Sequence, residues 1–207
     1  PIETLSYPEL QLLSAAGTQV LHESAVAPVR ERQIPLHIRS TFAPDAPGTR
    51  IGFDAPASLS ASGVIGFAGR RPVSMLRVIF PENTEETALW EVRACLNEHR
   101  IETFHSACGV EGLCLLLSSG AEADALHAAA EQLRERFPDA KVKLRENLAV
   151  LLALCRSTKD IPKLSAAIEA SGAPVHHLVQ TPPGAMFCVN DSQYEQALRA
   201  AYGAAFA

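Results

Sequence analysis

Val73-Ser74-Met75-Leu76-Arg77-Val78-Ile79-Phe80, closed by Pro81, reads as a β-strand because apolar residues alternate and then run together before a proline. Asn83 or Thr84 can cap a following helix, and Glu85 and Glu86 suit the positive end of its dipole. Leu89, Val92, Cys95 and Leu96 recur at helical spacing and predict its buried stripe. A strand follows over 101–106, then a glycine-flanked turn at Gly109-Val110-Glu111-Gly112. Residues 113–117 are apolar on both faces and predict a central strand. A helix over 121–136, stopped before Pro138, and an alternating strand over 140–146 complete a βαββαβ unit.

The same order then recurs. Residues 148–155 predict a strand, 160–171 a helix with Pro162 in its first turn and Gly172 at its end, and 174–180 another strand. Thr181-Pro182-Pro183-Gly184 is a turn, 185–190 a strand, and Asp191 or Ser192 caps a helix to about 202. This second copy lacks its closing strand. An unpaired sheet edge invites aggregation, so another segment should occupy it. Gly63-Val64-Ile65-Gly66-Phe67-Ala68 is a short apolar strand upstream of the first copy with no partner of its own. It is expected to cross over and complete the second copy, which makes the first copy an insertion within the second.

Ahead of the copies, 5–17 carries a helix pattern with Ser6 as cap, Pro8 in the first turn and Gly17 at the end. A helix over 23–32, a strand over 34–40 and a Pro- and Gly-rich loop over 42–48 follow. Residues 54–58 read as a linker.

Apolar residues make up 47% and charged residues 20% of the 207, enough to pack a core in each segment. The formal charge of −5, with Lys and Arg scattered, speaks against a nucleic-acid surface. No apolar run approaches the length of a membrane span, and no signal-peptide pattern opens the chain. The five cysteines show no CxxC and no metal-ligand spacing, which predicts a reduced, cytoplasmic protein. His176 and His177 would face opposite sides of a strand, so no shared metal is expected.

The stretch Leu5-Ser6-Tyr7-Pro8-Glu9-Leu10 through Ala16-Gly17-Thr18-Gln19-Val20-Leu21-His22 resembles the end of the kinase domain of aspartate kinases. Ile34-Pro35-Leu36-His37-Ile38-Arg39-Ser40-Thr41-Phe42 and Pro47-Gly48-Thr49-Arg50-Ile51 look like that family's closing strand and loop. The paired copies resemble its tandem ACT modules. The resemblance implies an α+β fold with two ferredoxin-like ACT modules, the first inserted in the second through the strand at 63–68, after a helical remnant of the amino-acid kinase domain. It divides the chain into 1–55, the remnant and linker; 73–146, the first module; and 60–70 with 147–207, the second.

An aspartate kinase uses ATP and Mg²⁺, but the family's K-F-G-G-[TS] opening has no counterpart here, nor is there another phosphate loop. No catalytic residue and no cofactor is therefore expected within this chain. The resemblance implies a regulatory region, either an excised fragment or a short subunit, that senses lysine or threonine, dimerises through its ACT modules and acts on a kinase domain or catalytic subunit. The effector site it implies falls at Glu82, Asn83 and Thr84 after the first strand and at Glu102 and Phe104 where the second begins. Carboxylates there would grip an ammonium group and suit lysine. The family's Pro-Gly turn and its strand-start amide are both missing, in this copy and in the second turn, Arg156-Ser157-Thr158-Lys159-Asp160. The alternative is thus a module that dimerises without a ligand, in which 83–86 merely start a helix.

Overall fold

The computed structural model describes residues 2–17, 21, 23–53, 63–81, 86–109, 112–118, 120, 122–181 and 183–206. The chain separates into two compact units, one of Pro1–Arg70, Val150–Val189 and Gln193–Ala207, the other of Arg71–Ala149 and Asn190–Ser192.

The first unit begins with β1 (Thr4–Ser6), α1 (Tyr7–Ala15), α2 (Glu23–Glu31), β2 (Leu36–Ile38) and β3 (Thr49–Gly52). Ser6 caps α1 as expected: its hydroxyl accepts from the Glu9 amide at 3.3 Å, while the Glu9 carboxylate accepts from the Ser6 amide at 2.6 Å. Gly17 ends that helix region at a φ of 99°, a left-handed conformation that glycine adopts without penalty. β3 pairs in parallel with β1 and antiparallel with β2. β1, at three residues, is too short to leave a periodic trace in sequence.

Two strands contribute to both units. β4 (Val64–Ile79) and β7 (Lys141–Cys155) are each continuous, where the sequence suggested separate strands at 63–68 and 73–80, and at 140–146 and 148–155. Gly69 and Pro72 read locally as punctuation, yet the strand carries through both; β7 likewise continues past Asn147, although that residue takes a left-handed φ of 54°. Along β7 the burial changes character: it alternates through 141–147, then every residue from 148 to 155 is buried. One face of the strand is covered in the first stretch and both faces in the second.

In the second unit, β4 is followed by α3 (Glu86–Glu98), β5 (Thr103–Gly109), β6 (Gly112–Leu117) and α4 (Ala123–Arg136), then by β7. The strand order is β5-β6-β4-β7, with β6 antiparallel to both β4 and β5. Val92, Cys95 and Leu96 of α3 and Ala129, Ala130 and Leu133 of α4 pack on Leu76, Val78, Leu113, Leu115 and Leu117 of the sheet. The stripe expected on α3 is thus its core face, and the two helices lie on one side of the strands.

In the first unit, β7 leads into α5 (Ile161–Ala170), β8 (His177–Thr181), β9 (Gly184–Asn190) and α6 (Tyr194–Phe206). The order is β4-β7-β9-β8. The Arg156 amide donates to the Gly63 carbonyl at 3.0 Å, so the start of β4 lies beside the end of β7. β4, which begins with the upstream segment, is thus the neighbour of β7 in this order. Gly69 lets Tyr194 approach the strand, since a β-carbon there would overlap the phenol. Phe67, Tyr202 and Phe206 form an aromatic cluster beside it, with ring centroids 4.7–6.3 Å apart.

Candidate functional site

A hollow of about 540 Å³ opens in the second unit between α3 and the start of β5. Arg93 and Asn97 line it from the helix, and Glu102, Thr103, Phe104, His105 and Ser106 from the strand. Each wall has a local cause. Arg93 and Asn97 are four residues apart, so they share a helix face beside the core stripe of Val92 and Leu96. On β5, Ser106 pairs with Leu115, a core residue under the helices, and so Ser106 faces α3. The register slips between Thr103 and His105, a bulge at Phe104 that brings neighbouring side chains to the mouth of the hollow.

Of the site residues expected from sequence, Glu102 and Phe104 meet here. Glu82, Asn83 and Thr84 lie outside the described residues. Arg93, Asn97, Thr103, His105 and Ser106 were not anticipated. The signal was present in part: Arg93 is a cation beside an otherwise apolar stripe, but only tertiary contact reveals that it reaches β5.

The hollow is polar and charged. Arg93 donates from Nη2 to the Ser106 hydroxyl at 2.8 Å, while its Nε is buried with no hydrogen-bond partner. His105 pairs with Leu116 and so turns its ring to the other face of β5, where Nε2 is buried and unpartnered and burial pushes the imidazole pKa down. Glu102, exposed, supplies a carboxylate. No group of three or more potential metal ligands occurs among the described residues.

The corresponding turn of the second copy is built differently. Arg156 Nε donates to Glu9 Oε1 at 2.9 Å, and its Nη2 reaches Glu9 Oε2 and the Thr4 carbonyl, each at 3.3 Å. The Glu9 side chain is 4% exposed and that of Arg156 17%. Burial would raise the Glu9 pKa, but the bonds from Arg156 and Ser6 and the guanidinium charge outweigh it and hold the carboxyl below its usual range. This turn is closed on α1, and its cation is committed.

No protein-family model matches the chain. Aspartokinase 3 of Bacillus subtilis aligns at 23% identity over 214 residues, covering 100% of this chain and 47% of its own length. Aspartokinase homologues cover the chain. Among solved structures, the aspartate kinase of Clostridium acetobutylicum superposes with a TM-score of 0.84 at 23% identity, over 99% of this chain and 48% of that one. E. coli aspartokinase III, solved with lysine and aspartate, gives 0.73 at 18% identity, over 100% and 46%. The regulatory subunit of aspartate kinase from Thermus thermophilus gives 0.56 at 20%, over 70% of this chain and 99% of that subunit. The chain spans about half the length of the curated relative it matches throughout. Its α+β fold is that of the regulatory region of aspartate kinases. Among the described residues, no helix is long and apolar enough to cross a membrane.

Proposed function

We propose that the chain is the regulatory region of an aspartate kinase and binds an amino-acid effector, lysine or threonine, in the hollow between α3 and β5. The observation that carries this is the hollow itself, walled by the first helix and the second strand of a βαββαβ unit and lined by charges of both signs. The modules are ferredoxin-like ACT domains, residues 73–146 and residues 60–70 with 147–207. β5 forms the open edge of its unit's strand order, and side-by-side pairing of two such edges builds a homodimer. Effector binding then shifts a kinase domain or catalytic subunit between two packings. Free cysteines support a reducing, cytoplasmic setting.

Isothermal calorimetry of the 207-residue chain with lysine and with threonine tests the effector claim. Saturable binding of either at millimolar concentration or below is expected, and no heat from both sinks it. Sedimentation at several concentrations tests the dimer independently.

The second reading, an assembly module without a ligand, draws on the other copy. There the Arg156–Glu9 pair closes the turn where a second effector would sit. The two readings divide between the copies: a ligand in the first, structure alone in the second. Calorimetric stoichiometry of one ligand per chain agrees with that division, and two ligands per chain contradicts it.

A further inference from the structure

We propose that Arg93 is the carboxylate anchor of the hollow, so that a zwitterionic α-amino acid binds with its carboxylate on Arg93 and its ammonium on Glu102. This rests on the effector reading and names the polarity of the ligand within that site. Arg93 is the one full positive charge among the described lining residues, and Glu102 the one negative charge. The two line the same space but form no ion pair with each other. Opposite charges left apart across an open hollow match the two ends of a zwitterion.

The bonding of Arg93 points the same way. A guanidinium prefers a carboxylate, which takes two of its donors as a fork. Here it gives Nη2 to a neutral hydroxyl and leaves Nε buried and unsatisfied. An orphaned buried donor is costly and rare enough to require a cause. A carboxylate seated in the hollow lets the guanidinium turn off Ser106 and present Nε and Nη2 together.

Trp90, the chain's single tryptophan, is 68% exposed and lies one turn from Arg93 on α3, so its emission reports on the hollow. The full chain is titrated by Trp90 emission and by calorimetry with lysine, threonine, lysinamide, threoninamide and succinate. Arg93→Gln, Arg93→Lys and Ser106→Ala are titrated alongside.

At least one amino acid is expected to bind, its amide to bind roughly tenfold or more weakly, and Arg93→Gln to lose a similar factor. Arg93→Lys retains part of the affinity, and Ser106→Ala retains all of it. Equal binding of acid and amide, or a loss in Ser106→Ala as large as in Arg93→Gln, overturns the anchor and leaves the effector reading standing. Succinate binding that depends on Arg93, with no amino acid bound, keeps the anchor and removes the amino-acid effector. No response to any probe overturns both. The amides are tested on the unaltered chain, so the anchor is decided even where Arg93→Gln does not fold.

Discussion

Glu9 shows how one side chain can serve two local structures. Its carboxylate closes the capping box of α1 through the Ser6 amide and takes a charge-assisted bond from Arg156, more than a hundred residues along the chain. Removing one partner of a largely buried pair strands the other, so Glu9→Gln should cost about 3 kcal/mol in thermal or urea unfolding. The pH dependence follows from the depressed carboxyl. A carboxylate with a lowered native pKa stabilises above its unfolded pKa, about 4.3, and that contribution is lost as pH falls through the native value. Unfolding below about pH 4 should therefore be shallower in Glu9→Gln than in the parent.

The cysteines differ as sharply. Cys95, Cys114, Cys155 and Cys188 are buried, and burial pushes the thiols of Cys114 and Cys155 up to about 11. Cys108, near the end of β5, is exposed. A thiol reagent should label Cys108 first in the native chain and the other four only on unfolding, read by mass after proteolysis. If β5 edges pair in a dimer, that labelling slows as protein concentration rises.

At the scale of elements, packing on β4 depends on what is missing from it. Gly69 leaves room for Tyr194 at the start of α6, and any β-carbon collides with the ring. Gly69→Ala is expected to lower stability by about 1–3 kcal/mol and the Tm with it. The stripe on α3 was legible because Val92, Cys95 and Leu96 recur at helical spacing, and all three are buried. Arg93 sits among them and reads in sequence as a solvated flank. Its contact with Ser106 depends on the pairing of β5 with β6, a long-range fact that no local window contains.

For the whole molecule, β4 and β7 tie the units together in sequence. Residues 64–70 and 150–155 belong to one unit, while 71–79 and 141–149 belong to the other. A chain ending at Ala149 would lose the 150–155 half of β7 together with α5, β8, β9 and α6, the rest of the unit that holds Val64 and Ala68. Amide hydrogen exchange should then show 64–70 unprotected while 73–79 keeps its protection through pairing with β6. Equal protection of both stretches would show that the first unit does not need its C-terminal half.

The order of elements within the two copies, their repetition and the need for a borrowed edge strand were written in the sequence. They rest on period, punctuation and the cost of an open edge, each of which acts over a few residues or counts strands. The continuity of β4 through Pro72 and of β7 through Asn147 was not, because local turn signals were overridden by the sheet that both strands enter. The hollow is likewise a tertiary product. Glu102 and Phe104 were expected from the family resemblance, at a strand start, whereas Arg93 acquired its meaning only when α3 came to rest against β5 and left its Nε buried without a partner.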